Sequence, residues 1–219
     1  ADLTDDATLT FDLYKVAVDD RIYRTGDIDN GMGGSLSFYT NALQLEHQGF
    51  DLVLSSSFEL LSGIETNASL AFNHNTTKIT DQDLINGIQP VSDSLVEDIE
   101  NNYPENRWVL NTFTNINDQL SFMARLNFYG EHYDERGTIG AESSPSAKID
   151  SIVYMDVELG YDVTDNFRLT AGGSNIFDTY VDEIDAPNAN RMSVGLQYPR
   201  RTAANYEGGS WYLRAQYDF

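Results

Sequence analysis

The chain ends Trp211-Tyr212-Leu213-Arg214-Ala215-Gln216-Tyr217-Asp218-Phe219, and this stretch decides the fold. Trp211, Leu213, Ala215, Tyr217 and Phe219 fall on one side; Tyr212, Arg214, Gln216 and Asp218 fall on the other. Period-two alternation marks a strand with one apolar and one polar surface. Chain ends ordinarily fray, so an apolar strand that finishes on Phe needs something to cover it. In a soluble protein the cover is a core. In an outer-membrane barrel it is lipid, with every strand edge paired around a closed cylinder.

The same alternation recurs upstream. Phe50, Leu52, Leu54, Ser56, Phe58 and Leu60 oppose Asp51, Val53, Ser55, Ser57 and Glu59. Ile64 to Phe72, Leu120 to Phe128, Val153 to Tyr161 and Phe167 to Gly173 repeat the pattern. Around 8–18 the apolar phase slips between Leu13 and Tyr14, which predicts a bulge there. Around 106–115, Trp108 and Leu110 begin in phase and Phe113 breaks it. Counting these, the chain reads as about eight strands.

Short and long connections alternate. Leu61-Ser62-Gly63, Asn115-Ile116-Asn117-Asp118 and Val163-Thr164-Asp165-Asn166 are tight and turn-rich. Long polar stretches lie at roughly 19–41, 77–105, 133–148 and 178–208. A weak repeat marks strand starts: Thr4-Asp5-Asp6 before Leu9, Asn117-Asp118 before Leu120, Thr164-Asp165-Asn166 before Phe167. All short turns therefore belong at one rim, with Phe219 and, from the even count, residue 1. Membrane barrels show this asymmetry, short turns on the periplasmic side and long loops outside. Phe167 and Phe177, ten residues apart on one face, predict a strand of roughly 33 Å, or about 24 Å at a 45° tilt, near the ~25 Å apolar band. Strands of soluble sandwiches are shorter, at about 5–6 residues.

Composition narrows the function. A net charge of -22, from 35 acidic and 13 basic residues, opposes phosphate contact, so nucleic acid is not an expected partner. The 13 Tyr and 11 Phe argue against disorder. No run of 18 apolar residues exists, so a membrane helix is excluded but a barrel is not. With no cysteine there is no disulfide or thiolate metal site. No signal peptide is visible before Ala1, so the N-terminus reads as processed or truncated.

Gly172-Gly173-Ser174-Asn175-Ile176-Phe177-Asp178-Thr179-Tyr180 resembles the strand-end motif Gly-x-x-Asn-(Leu/Ile)-Phe-(Asp/Asn)-x-x-Tyr of TonB-dependent outer-membrane receptors. Phe11 to Ile22, with Asp19-Asp20-Arg21-Ile22, is similar to that family's strand ending in Asp-Asp-Arg-Ile. Asn41-Ala42 with Gln48-Gly49-Phe50-Asp51-Leu52, and Arg125 to Glu131, follow in the family's order. The final strand resembles the assembly signal of outer-membrane proteins, through Trp211, Leu213, Tyr217 and Phe219. The resemblance implies an all-β, antiparallel transmembrane β-barrel, with residues 1–219 supplying about eight C-terminal strands of a 22-stranded cylinder. Neither the family's N-terminal plug domain nor its TonB-contacting segment is recognisable, so the chain reads as a partial one. Eight strands of so wide a cylinder leave open edges that lipid does not tolerate. The implied function is TonB-dependent uptake of a scarce solute (siderophore, haem, cobalamin or oligosaccharide) across a Gram-negative outer membrane. The implied partners are lipid, lipopolysaccharide, the plug, the remaining strands, TonB, the barrel assembly machinery and the solute, with no enzyme activity and no cofactor.

For the individual residues, Asn175, Ile176, Phe177, Asp178 and Tyr180 are expected to be structural, ending a strand and anchoring aromatics at the membrane rim. Asp51, Glu59, Arg125, Asp156, Glu158 and Arg168 fall at lumen-facing positions, toward the plug or solute path. His47, His74 and His132 map near the long-loop rim, where imidazole with Glu131, Asp134 or Glu135 offers a weak metal or hydrolytic site. The carboxylates Asp81, Asp83, Asp93, Glu97, Asp98, Glu100 and Glu105 read as a solvated loop, with divalent-cation binding as the alternative. Arg200 and Arg201 pair with acidic neighbours or meet an anionic ligand. Two other classes compete with uptake: a self-contained eight-stranded structural or adhesive barrel, and an outer-membrane hydrolase built on a Ser or Asp/His set.

Overall fold

The computed structural model describes residues 1–85, 87–134, 137–142, 144–184, 197–199 and 202–219. Its strands are β1 (Asp2–Thr4), β2 (Ala7–Arg24), β3 (Ile28–Asp29), β4 (Ser35–Leu36), β5 (Tyr39–Leu61), β6 (Ile64–Gln82), β7 (Asn106–Asn115), β8 (Leu120–Tyr129), β9 (His132–Tyr133), β10 (Lys148–Ile149), β11 (Ile152–Thr164), β12 (Phe167–Ser174) and β13 (Ser210–Tyr217). One helix, α1 (Asp93–Asn101), lies between β6 and β7. Nine strands form one antiparallel sheet in the order β1-β2-β5-β6-β7-β8-β11-β12-β13. Among the described residues β1 and β13 are its edges, and the sheet does not close on itself. The ninth strand is β1, three residues long and too short to show a period. Ala1, one residue before β1, hydrogen-bonds Leu9 through its backbone.

The register turns alternation into two chemically distinct faces. Partners directly opposite in antiparallel strands point the same way, so Phe11, Leu52, Phe72, Trp108, Phe128 and Val153 form one cross-strand row. Leu9, Leu54, Leu70, Leu110, Leu126 and Met155 form the next row on that face. Phe122, Leu159, Ala171 and Leu213 continue it to the last strand. Trp108 stacks on Phe128 at 5.3 Å, and Phe50 meets both Phe11 and Phe72. Among the described residues nothing covers this face. Leu213 is 77% exposed and Leu13 equally so.

The opposite face carries Asp12, Asp51, Asn73 and Arg107 in one row, and Thr8, Ser55, Ser69, Asn111, Arg125 and Asp156 in another. Its side chains bond across strands, as in Asn73 Nδ2 to Asp51 Oδ1 at 2.7 Å and Arg125 Nε to Asn111 Oδ1 at 2.6 Å. Phe113 lies on this face beside Met123, with no break in register, so no bulge is needed there.

The predicted slip at Leu13/Tyr14 is absent too. Tyr14 pairs with Gly49 in unbroken register and its hydroxyl donates to Asn75 Oδ1. A Cβ on Gly49 would meet the His74 carbonyl oxygen at 2.0 Å and that hydroxyl at 2.8 Å, so the neighbouring backbone and the tyrosine both use space that only glycine leaves. The register shift falls between Val18 and Tyr23 instead, where Asp20 has φ 57°. Gly172 and Gly173 repeat the device under Tyr212 and Trp211.

The short turns share a mechanism. Thr4 Oγ1 accepts Asp6 N–H, Asn117 Oδ1 accepts Gln119 N–H and Thr164 Oγ1 accepts Asn166 N–H, each two residues on. This is the physical content of the weak Thr/Asn-Asp repeat: side chains that mimic a backbone turn. β7 and β8 have 10 residues each, whereas β2, β5 and β6 have 18, 23 and 19. Ten residues at a 45° tilt rise about 23 Å, and 23 residues about 54 Å. The β2-β5-β6 portion therefore extends well past an apolar band, on the long-loop side.

The two dry clusters lie at that end. Leu43, Val91 and Ile99 pack with Ile79, Leu95 and Val96, which seats α1 on the β5–β6 extension. Ile149, Ile152, Tyr154, Val181 and Ala204 pack with Tyr129 and Tyr198. Leu43, Ile152 and Tyr154 share parity with Asp51 and Asp156, so both clusters sit on the polar face, where loops fold over it. No helix among the described residues is long and apolar enough to cross a membrane.

Candidate functional site

The long-loop end of the polar face carries the densest chemistry. β12 ends at Ser174, and Asn175 and Asp178 both take left-handed φ, 47° and 53°. Asn and Asp tolerate that conformation best after glycine. Phe177 accordingly leaves the strand and is exposed, which corrects the expectation of one strand from Phe167 to Phe177. Asn175 is 4% exposed. Its Oδ1 accepts Thr179 N–H at 3.0 Å, its Nδ2 donates to Thr179 O at 2.8 Å, and its own N–H donates to Asp156 Oδ1 at 2.9 Å. Ile176 N–H reaches Met155 O at 2.8 Å.

Asp178 Oδ1 accepts Gly209 N–H at 2.8 Å. A Cβ on Gly208 would meet the Tyr180 hydroxyl at 2.1 Å, and one on Gly209 would meet Asn175 O at 2.7 Å. The Asn175-to-Tyr180 turn thus clamps the two glycines that lead into β13. The bond from Tyr180 to Asp178, more than any other influence, raises the Tyr180 pKa. Tyr180 also stacks on Tyr198 at 5.3 Å. The motif residues were legible in sequence; Gly208 and Gly209 were not singled out, although a Gly-Gly pair beside a strand start is itself a signal for close backbone approach.

Beside this clamp a cavity of about 390 Å³ opens between Asn127, Tyr129, Tyr154, Asp156, Asn175 and Glu207. Arg107 lies over the Tyr129 ring at 4.0 Å. Its walls are hydroxyl, amide and carboxylate groups, suited to hydrogen-bonding a polar solute. Asp156 is already engaged by Asn175 N–H and by Asn127 Nδ2.

The register puts Asp51, Glu59, Arg125, Asp156, Glu158 and Arg168 all on the polar face. Arg168 grips Asp162 through Nη1 at 2.8 and 3.0 Å and donates to Ser121 Oγ. Glu158 receives the Tyr212 hydroxyl and Arg214. Trp211, Leu213 and Tyr217 stand on the bare face of the edge strand, and Phe219 follows with its ring edge-on to Tyr217 at 5.1 Å.

The histidines are not brought together. His47 points to the polar side, bonded to Thr77 Oγ1, whereas His74 shares the apolar face with Phe50 and bonds Asn106 Oδ1. His132 is buried, with Nδ1 on Gly130 O at 2.9 Å and Nε2 on Thr202 Oγ1 at 2.7 Å. The carbonyl fixes the Nδ1–H tautomer, and burial lowers the pKa below its usual value. Among the described residues no three His, Cys, Asp or Glu side chains are grouped to hold a metal ion. Glu135, Asp185, Asn188, Asn190, Arg191, Arg200 and Arg201 lie outside the described residues.

Residues 1–176 match the family described as TonB dependent receptor-like, beta-barrel. The chain belongs to this family. Compared with curated protein sequences it matches none. Among solved structures, the outer membrane transporter YddB from Escherichia coli aligns with TM-score 0.65 and 13% identity, covering 99% of this chain and 31% of that one. The siderophore receptor PiuA from Acinetobacter baumannii gives TM-score 0.62 and 19% identity, covering 98% and 26%. The FrpB iron transporter from Neisseria meningitidis gives 0.61 and 13%, covering 99% and 30%. At these identities the likeness is one of fold. The chain spans about a quarter to a third of the length of these TonB-dependent receptor structures.

Proposed function

We propose that residues 1–219 are the C-terminal part of the barrel of a TonB-dependent transporter that takes a scarce solute across the outer membrane of a Gram-negative bacterium. The observation that carries this reading is the division of the sheet: an aromatic and aliphatic face that none of the described residues covers, backed by a hydrogen-bonded polar face. Apolar patches of this extent are stable only against lipid or a partner, and the family supplies the lipid. The polar face then lines the lumen toward the plug and solute path. Earlier strands of the same barrel pair with the exposed edges, and Trp211 to Phe219 present the assembly signal to the barrel assembly machinery. Lipopolysaccharide meets the outer rim. The protein transforms nothing chemically; it binds and passes a solute, its uptake driven through TonB.

The test is uptake by the native full-length protein in strains with and without TonB, over ferric siderophores, haem, cobalamin, copper and oligosaccharides. Uptake of at least one probe that needs both this protein and TonB supports the reading. A native mass of about 24.5 kDa, or uptake indifferent to TonB, contradicts it.

A further inference from the structure

We propose that Asp98 is a proton-operated latch between two loops that fold over the polar face, tying α1 to the segment at Ile139 when protonated and releasing it when ionised. Asp98 is 9% exposed, on the buried side of α1. Its Oδ1 accepts the Ile139 N–H at 2.8 Å, joining positions 41 residues apart in different loops. Among the described residues its Oδ2, shut away from water, has no hydrogen-bond partner. Asn102, which caps the helix one turn later, has its Oδ1 in the same condition. A proton on Asp98 Oδ2 replaces a buried bare charge with a neutral acid.

Among the described residues the surrounding charges do not provide another answer. The elements packed against α1 are β6 and β9, with Tyr23 of β2 and Leu43 of β5 in the apolar cluster beneath it. On β6, Lys78 is held by Glu100 at 2.9 Å, and Asp81 bears the same sign as Asp98. On β9, burial lowers the His132 pKa and favours its neutral form. Glu97 and Glu100 on α1 add negative charge. Lys148 is taken by Glu131 and Asp150. Burial is the largest influence on Asp98, the Ile139 N–H opposes it and Glu97 reinforces it, leaving the pKa raised from 3.8 to about 6.

The docked loops therefore bind the proton more tightly than the parted ones. Docking is strongest below about pH 4 and weakens as pH rises through 6, by roughly 100-fold in all and roughly tenfold between pH 5 and 8.

The experiment is hydrogen–deuterium exchange of the full receptor in phospholipid vesicles, on peptides covering 93–102 and 137–142, corrected for intrinsic exchange, with β8 as the reference. The expected result is protection at pH 5 that falls about tenfold by pH 8. D98N keeps the acceptor for Ile139 and carries no titrating group, so its protection stays the same across the range. The wild-type measurement alone suffices if D98N misassembles. Wild-type protection that does not change with pH overturns the proposal, as does the same pH dependence in D98N. Protection lost on chelating divalent cations overturns it too, since a metal ion then fills the gap.

Discussion

Replacing Asn175 should loosen the start of the last strand, and the structure sets the size of the effect. Asn175→Ala removes the acceptor for Thr179 N–H at 3.0 Å and the donor to Thr179 O at 2.8 Å. Each is worth about 1 kcal/mol net. The third contact, Nδ2 to Glu207 O at 3.4 Å, is too long to add much. Alanine must also hold φ 47° without the local bonding that makes Asn tolerant, at a further cost of about 1 kcal/mol. The total is about 3 kcal/mol, or roughly 100-fold in local opening. Asn175→Gly loses the same bonds but not the backbone comfort, so it should cost about 1 kcal/mol less than alanine. Amide exchange at Thr179 and Gly209 in the vesicle-embedded receptor reads both values, because Gly209 N–H ends on Asp178 of the same turn. A loss of protection under about fivefold in Asn175→Ala, or glycine as damaging as alanine, refutes the clamp.

The remaining expectations follow from the same contacts. Gly208→Ala places a methyl 2.1 Å from the Tyr180 hydroxyl and 2.6 Å from Asp178 Oδ1, so it should speed exchange at Gly209, and Tyr180→Phe should recover part of the loss. No recovery in the double variant would mean the clash lies elsewhere. The lowered pKa of His132 works opposite to Asp98: the packed state prefers neutral imidazole, so its contribution is intact above pH 6.5 and declines as pH falls below it. Exchange at Asp134 N–H, bonded to Ala147 O, should therefore rise on acidification, and His132→Gln should flatten that trend.

The membrane-spanning part was legible because two solvents impose two faces on every strand. Leu120 to Phe128 and Val153 to Tyr161 keep their apolar side chains on one parity except Met123 and Tyr154, and their register follows it. Short turns were readable too, since Thr4, Asn117 and Thr164 must supply acceptors where strands reverse. Legibility failed where that constraint ends. Above the apolar band both faces of β2, β5 and β6 are wet or covered by loops, so alternation fades and their full lengths did not show. The helix was announced by Ser92, whose side chain accepts Leu95 N–H, and by Leu95, Val96 and Ile99 at helical spacing. Seven carboxylates concealed it within an acidic loop. At the polar cavity, Asp156 was readable as an inward residue, whereas Tyr154 and Glu207 meet only through the fold of the chain after β12.

The most direct test of the two-faced sheet is a single-cysteine scan along β8, from Leu120 to Tyr129, in a cysteine-free background of the receptor in vesicles. Spin labels at Phe122, Ala124, Leu126 and Phe128 should collide with lipid-dissolved oxygen, while labels at Ser121, Met123, Arg125 and Asn127 should be shielded from it. A profile without period two, or one with the opposite phase, contradicts a strand that separates hydrocarbon from a polar interior.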